Sequence, residues 1–171
     1  MGGGSAPRRV LVIPLRYIGD TILSVPLIRN LARQLPDAQI DVLTSRVCAP
    51  LLEPSPYIHQ VLLEPKGLAR QVALLRNARY DAVFILRKSF TMALACRLAG
   101  VRTVIGYDKQ RFPWGYKRWG LLLDKTVRYP GLRTDTPQPI SHLRHLEAIG
   151  LTPLDDHLEL WATPEDEARV D

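Results

Sequence analysis

The stretch RVLVIPLRYIGDTILSVPLIRNLARQLPDAQIDVLTS, residues 9–45, decides the fold. Its opening run, residues 9–15, consists mostly of Val, Ile and Leu, as in a strand that is buried on both faces. Residues 21–36 carry apolar side chains at helical spacing, and residues 39–45 form a second strand-like run. A strand, a helix and a second strand joined by short loops predict a β-α-β unit with parallel strands.

The helix in this unit has two unlike faces and a proline near its start. Pro26 would remove a hydrogen bond from a helix that began at Asp20, so we predict a helical turn over 20–24 and then a main helix capped by Ser24. Two interpretations of Asp20 follow: a helix cap worth about 1 kcal/mol, or a carboxylate available for chemistry. The predicted apolar stripe is Leu27, Ile28, Leu31, Ala32 and Leu35, and the opposite, polar face is Arg29, Arg33 and Gln34.

The rest of the chain continues the alternation of strand and helix. This pattern is typical of an α/β fold, here a Rossmann-like, doubly wound and mainly parallel sheet. We predict a flexible tail at residues 1–8, one such domain at 9–162, and the start of a helix or linker at 163–171. Further strands are predicted at 60–64, 81–86, 102–107, 122–127 and 157–163, and helices at 47–58, 67–80, 89–100 and 139–150.

Composition and charge narrow the class of protein. The chain has 171 residues, of which 46% are hydrophobic and 23% charged, as in an ordinary globular domain. Its two cysteines, Cys48 and Cys96, belong to no motif, which favours a reducing compartment over a disulfide scaffold. No apolar run approaches the length of a membrane span, and the start lacks the apolar core of a secretion signal. We therefore expect a cytoplasmic protein.

The positive charge is concentrated in one region. Residues 102–133 hold eight Lys or Arg against two Asp, a net charge of +6 that equals the net charge of the whole chain. Six of the twelve aromatic residues fall within residues 107–129, which we name the basic aromatic segment. A basic region implies an anionic partner: nucleic acid, anionic lipid, or a phosphorylated or carboxylated small molecule. An ordered surface loop with packed aromatics is the plainer interpretation.

Candidate site residues follow two of the predicted strands. Ligands of open parallel sheets bind beyond the carboxyl ends of the strands. Residues 16–20, RYIGD, leave the first strand there, and Gly19 permits close backbone approach or an unusual dihedral. Arg87, Lys88 and Ser89 leave the fourth strand, where the two cations suit an anion and Ser89 also suits a helix N-cap.

Several familiar sites are missing from the sequence. The sequence has no dinucleotide-binding motif G-x-G-x-x-G after the first strand and no P-loop motif G-x-x-x-x-G-K-[ST]. This domain is therefore a poor candidate for binding a diphosphate. His142 and His145 are three residues apart on a predicted helix, but no third ligand of suitable spacing accompanies them. We therefore expect neither a metal nor a cofactor.

The order of these motifs resembles a known family. Residues 10–44 contain a strand, a loop that ends in Gly-Asp, a helix with Ser-x-Pro, and then Pro-Asp-Ala before a strand. Together with residues 79–108, residues 118–127 and the helix around His142, they resemble the N-terminal half of glycosyltransferase family 9, the lipopolysaccharide heptosyltransferases. The Ser-Phe pair after the fourth strand favours the heptosyltransferase II group. The chain departs from the family at Arg87-Lys88-Ser89, where many members have Gln-Gly or Pro-Asn-Ser.

The resemblance implies a fold and a mechanism. Members have a two-domain GT-B fold, and their N-terminal half binds the acceptor. They are inverting and metal-independent, and the carboxylate of the Gly-Asp motif, here Asp20, acts as general base. Acceptor contacts are then expected from Arg16, Gly19, Lys88 and Ser89 in the cleft, and from Arg111, Lys117 and Arg118 in the basic aromatic segment.

The resemblance also implies partners. The acceptor is the lipopolysaccharide inner core at the inner membrane surface, and the donor ADP-heptose is held by a C-terminal domain that this chain lacks, so the chain alone should be inactive. Nucleic acid is not expected as a partner. Two alternatives remain: a stand-alone Rossmann-like module that binds nucleic acid or anionic lipid, and a family 9 transferase that acts on another glycan.

Overall fold

A computed structural model describes residues 6–107, 120–128 and 137–162. These residues contain six strands: β1 (Arg9–Ile13), β2 (Gln39–Thr44), β3 (Gln60–Leu63), β4 (Ala82–Ile85), β5 (Thr103–Tyr107) and β6 (Lys125–Val127). The strands form one sheet in which every strand pair is parallel, in the order β3-β2-β1-β4-β5-β6. The Rossmann-like, doubly wound fold is thus confirmed.

Helices cover both faces of the sheet. They are α1 (Ile18–Ile22), α2 (Val25–Gln34), α3 (Ala49–Leu52), α4 (Leu68–Ala78), α5 (Phe90–Ala99) and α6 (Gln138–Glu147). Helices α2, α3 and α6 pack on one face, whereas α4 and α5 pack on the other. The short α1 follows the carboxyl end of β1.

The central strand β1 shows why the sheet is buried on both faces. Val10 and Val12 belong to the core beneath α2 and α6, while Leu11 and Ile13 belong to the core beneath α4 and α5. All four side chains are fully buried. Because successive side chains of a strand point to opposite faces, an uninterrupted apolar run is required wherever both faces are covered.

The break between α1 and α2 confirms the predicted effect of the proline. Pro26 lies in the first turn of α2, where its missing N–H leaves no hydrogen bond unmade. Ser24 is at the N-cap position, but the prediction that its side chain caps the helix is wrong. Its hydroxyl donates instead to the carbonyl of Thr21 over 2.6 Å, which ties α1 to α2.

Residues 152–161 form a strap along α2, and they correct the prediction of a last strand. The predicted strand at 157–163 is absent from its described part, residues 157–162. Arg29, predicted to lie on the polar face of the helix, is only 3% exposed and donates hydrogen bonds to Asp155, Glu159 and the carbonyl of His157. The neighbouring Asn30 bonds to the backbone of the strap at both Leu154 and Asp155. Residues 152–161 are therefore held by hydrogen bonds to side chains of α2 and not by pairing with a strand.

Candidate active site

A cleft opens where β1 and β4 lie side by side at the centre of the sheet. The chain leaves these two strands at their carboxyl ends, which is the usual ligand position in a doubly wound fold. The cleft has a volume of about 440 Å³. It is lined by Leu15, Arg16 and Tyr17 after β1 and by Arg87, Lys88 and Ser89 after β4. Three of the predicted site residues, Arg16, Lys88 and Ser89, are thus brought together.

Gly19 and Asp20 adjoin this cleft without lining it. Both lie in α1, which starts directly after the cleft residue Tyr17. The Asp20 side chain makes no hydrogen bond or ion pair with any residue in the described part of the chain, and the residue is half-buried. Tyr17, not Asp20, occupies the N-cap position of α1. The helix-cap interpretation of Asp20 is therefore wrong.

Gly19 has an ordinary helical backbone rather than an unusual dihedral. It is not among the glycines of positive φ in the described residues. A Cβ added at this position would meet no atom within 4 Å, so the space in front of Gly19 is open. A ligand can therefore approach the backbone at Gly19 closely, which is the first of the two roles that the sequence suggested for this glycine.

Glu64, which follows β3, binds the two arginines of the cleft. Arg16 donates from Nε and Nη2 to the two carboxylate oxygens over 3.2 and 3.1 Å, and Arg87 donates from Nη2 over 2.5 Å. Burial alone raises the pKa of Glu64, but the hydrogen bonds and charges of Arg87 and Arg16 outweigh burial and hold this pKa below its usual value. The Glu64 carboxylate therefore holds both guanidinium groups in place. Together Arg16, Arg87 and Glu64 carry one net positive charge.

Glu64 is not among the site residues predicted from the sequence. It is the last residue of the apolar run predicted as the third strand, and only its position at a strand end hinted at a role. Two strands, β2 and β1, separate β3 from β4, so Arg87 must reach across both of them to contact Glu64. Only the order of strands in the sheet reveals that these side chains meet.

The remaining predicted contacts have different outcomes. The Ser89 hydroxyl accepts a hydrogen bond from the Met92 N–H over 3.3 Å. Ser89 therefore caps α5, which confirms its interpretation as a helix N-cap. Lys88 is exposed at the rim of the cleft. Arg111, Lys117 and Arg118 lie outside the described residues.

The two histidines of α6 are core residues. His142 and His145 are at most 1% exposed, and the Tyr107 hydroxyl lies 2.7 Å from Nδ1 of His142.

Within the described residues, no three His, Cys, Asp or Glu side chains are grouped closely enough to hold a metal ion. Over the same residues, no helix has the length and hydrophobicity needed to cross a membrane.

Replacing Glu64 by Gln is expected to lower the free energy of unfolding by about 2–3 kcal/mol at pH 7, because it leaves the largely buried Arg87 with an uncompensated charge. The folded-state pKa is lowered, so this contribution is complete above the usual glutamate pKa of about 4.3 and is lost as the pH falls through the folded value. Urea denaturation at pH 7 and pH 3.5 measures both effects. The exposed Glu53→Gln is the matched control, with an expected change below about 0.5 kcal/mol. Equal unfolding free energies for Glu64→Gln and the wild type at pH 7 would contradict the conclusion that Glu64 stabilises the fold by compensating the charge of Arg87.

Comparison with known proteins agrees with this geometry. No protein-family model matches the chain. Lipopolysaccharide heptosyltransferase 2 of Escherichia coli K12 is 33% identical over 127 residues, which cover 70% of this chain and 35% of the relative. The solved E. coli ADP-heptose lipopolysaccharide heptosyltransferase II superposes with a TM-score of 0.67 at 25% identity, covering 94% of this chain and 49% of that structure. The glycosyl transferase family 9 structure from Veillonella parvula has a TM-score of 0.70 at 18% identity, covering 92% of this chain and 46% of that structure, and shows the same fold.

The parallel sheet, the cleft at its centre and these matches define the class of protein: the glycosyltransferases of Rossmann-like fold. More specifically, the chain belongs to glycosyltransferase family 9, the family of the lipopolysaccharide heptosyltransferases. It spans 35% of the length of the curated relative and about half of the solved heptosyltransferase.

Proposed function

We propose that the chain is the acceptor-binding part of a lipopolysaccharide core heptosyltransferase. The complete enzyme would transfer heptose from ADP-heptose to an inner-core sugar, with inversion at the anomeric carbon and without a metal. The proposal is supported by the likeness to heptosyltransferase 2 and by a cationic cleft at the carboxyl ends of β1 and β4. Inner-core sugars carry carboxylates and phosphates, which suit the positive charge of that cleft.

The observation that carries the proposal is the carboxylate of Asp20. It adjoins the cleft, is half-buried, and is engaged by no other side chain among the described residues. A general base must be able to accept a proton, so a carboxylate held in an ion pair would be a poor choice. In the proposed step the acceptor hydroxyl attacks the anomeric carbon and passes its proton to Asp20. The bond from that carbon to ADP breaks, and ADP leaves with the electron pair.

Acceptor recognition is assigned to the side chains around Asp20. Arg16 is 62% exposed although Glu64 holds its guanidinium, so it can present a charge of fixed direction to an anionic sugar. Lys88 adds a second cation at the rim, and the open space before Gly19 admits the sugar close to the backbone. Ser89 lines the cleft while it caps α5. Contacts from Arg111, Lys117 and Arg118 remain a proposal based on the sequence.

The domain assignment and the location in the cell are part of the same proposal. Residues 1–8 serve as a tail, residues 9–162 bind the acceptor, and residues 163–171 lead toward a donor-binding domain that this chain does not contain. Coverage of 49% of the solved heptosyltransferase supports such a division. We place the protein in the cytoplasm, where the basic aromatic segment would contact the inner membrane surface that carries the acceptor.

The test is to incubate the 171-residue chain with ADP-heptose and a truncated lipopolysaccharide acceptor. We expect binding of the acceptor but no transfer, because the groups that hold ADP and stabilise it as it leaves are missing. Adding a donor-binding domain from the same enzyme should restore turnover. Robust transfer by the chain alone would contradict the division of labour. A salt-dependent gel shift with plain oligonucleotides, and no acceptor binding, would favour a nucleic-acid-binding module instead.

A further inference from the structure

A small cavity lies at the end of the sheet opposite the cleft. It lies between the carboxyl ends of α4 and α5, beside the residues that lead into β4 and β5, and its volume is about 220 Å³. Pockets for drug-sized ligands measure about 300–1,000 Å³, so this cavity suits a compact ligand. The sequence placed no site at this position, and the role proposed for Asp20 does not depend on it.

Positive charge dominates the lining of this cavity. Arg76, Arg79 and Arg102 contribute three exposed guanidinium groups. Asp81 is the one carboxylate among the described lining residues. It accepts hydrogen bonds from the backbone N–H groups of Arg8 and Arg9 over 2.9 and 3.0 Å. Three cations and one anion leave the lining with a net charge of +2.

The three arginines retain donors for a partner outside the chain. Within the described residues, the guanidinium groups of Arg79 and Arg102 make no hydrogen bond or ion pair. Arg76 donates one hydrogen bond, from Nη2 to the carbonyl of Leu98 over 2.8 Å. A guanidinium group has five N–H donors, so most of those in the cavity remain available to a ligand.

The backbone at Arg79 is an independent sign of function. Arg79 is the C-cap residue of α4 and adopts the left-handed conformation, with a φ of 53°. No other non-glycine residue in the described part of the chain has a positive φ. Glycine is the usual residue at such a helix end because a Cβ makes this conformation unfavourable, and α5 ends at the same cavity with Gly100. Arginine at the end of α4 therefore points to a use for its side chain.

We propose that this cavity is an anion-binding site, which holds the phosphate or diphosphate group of a small ligand between Arg76, Arg79 and Arg102. A phosphate ester carries a charge of about −1.5 to −2 at pH 7 and three acceptor oxygens, which match the charge and the donors of the cavity. Planar guanidinium groups bind two phosphate oxygens at once, which a lysine cannot do. A single carboxylate would neutralise only half of the charge. Because the site and the cleft lie at opposite ends of the sheet, its ligand does not compete with the acceptor.

The arginines also have a purely structural interpretation. A cation near the end of a helix offsets the negative end of the helix dipole, which would account for Arg76 and Arg79. It does not account for Arg102, which lies outside both helices. This interpretation predicts that the arginines stabilise the fold and bind no ligand, so binding and stability must be measured on the same variants.

Nuclear magnetic resonance on the ¹⁵N-labelled 171-residue chain tests the proposal. The probes are inorganic phosphate, diphosphate and glycerol 3-phosphate, with acetate and chloride at equal ionic strength as comparisons for charge alone. We expect saturable shifts of the amides of residues 76–81 and 99–102. At least one phosphate compound should bind about 10-fold more tightly than acetate, which carries about half the charge and fewer acceptor oxygens. The compound that binds most tightly identifies the ligand as a free phosphate, a diphosphate or a phosphate ester.

Three variants separate a binding site from surface attraction. Arg79→Gly and Arg102→Gln each remove one guanidinium group and should weaken phosphate binding about 5–10-fold. Arg79→Gly should not lower the midpoint of thermal unfolding, since glycine accommodates the left-handed backbone. Arg70→Gln removes an exposed charge near the start of α4 and is the matched control, which should leave binding unchanged.

Two results would overturn the proposal. The first is the absence of saturable shifts with all three phosphate compounds, or equal affinities of Arg102→Gln and Arg70→Gln. The second is a lower midpoint of thermal unfolding in Arg79→Gly with unchanged phosphate binding, which would assign Arg79 to the helix end alone. Because Arg102 is exposed and lies outside the helices, its variant remains informative even if Arg79→Gly does not fold.

Discussion

Asparagine in place of Asp20 is expected to lower the rate of heptosyl transfer about 10²–10⁴-fold in a protein that joins this chain to a donor-binding domain. Asparagine retains the size and polarity of the side chain but cannot take a proton from the acceptor hydroxyl. Binding of the acceptor should change little, so the loss should appear in kcat rather than in KM. Steady-state kinetics with ADP-heptose and a truncated lipopolysaccharide acceptor measure both quantities.

Folding of the same variant should be almost unaffected, and this separates chemistry from structure. No described residue bonds to the Asp20 side chain, so the free energy of unfolding of the 171-residue chain should change by less than about 0.5 kcal/mol. Asp37→Asn, an exposed aspartate that follows α2, is the control and should alter neither rate nor stability. An unchanged transfer rate in Asp20→Asn would remove Asp20 from the mechanism. A loss of folding parallel to the loss of rate would give it a structural role.

The fold was predictable because its signals are local. The apolar run at β1, the helical spacing after it and the proline at position 26 each restrict a short segment, and together they specify a parallel β-α-β unit. Gly100 ends α5 in the left-handed conformation that glycine commonly adopts at a helix end. None of these signals requires knowledge of which strands are neighbours.

The site was only partly predictable because it depends on strand order. Arg16, Lys88 and Ser89 follow strands that prove to be adjacent, so the rule that ligands bind at strand ends was enough to group them. Glu64 follows β3, which is three places from β4 in the sheet, and no local pattern connects it to Arg87. The sequence does not predict that a charged side chain is buried when the oppositely charged residue that pairs with it is distant along the chain.

Arg29 shows the same limit in a helix. Helical spacing places it opposite the apolar stripe, which normally means solvent. The strap at 152–161 covers that side of α2 and brings two carboxylates to the guanidinium. Periodicity reports which residues share a face but does not report what covers that face.

The buried histidines of α6 should make the fold sensitive to mild acid. Burial lowers the pKa of His142 to about 4; burial, with repulsion from His142, lowers the pKa of His145 to about 3. The unfolded chain takes up protons near pH 6.5, and the folded chain resists them until these lower values. Stability is therefore complete above pH 6.5 and is lost as the pH falls toward the folded-state pKa values. Between pH 7 and pH 5 the two histidines together should remove about 4 kcal/mol from the free energy of unfolding.

Urea denaturation at half-unit steps of pH measures this loss, and one variant assigns it. Phe in place of His145 keeps a flat ring against Tyr107, whose ring centroid lies 4.5 Å away, but cannot take up a proton. It should remove about half of the pH dependence between pH 7 and pH 5, because His142 still titrates. His157→Asn replaces an exposed histidine and should leave the pH dependence of the wild type intact. Glutamates titrate mainly below this window, so an equal loss in His145→Phe and the wild type would mean that the α6 histidines are not the groups that resist protonation.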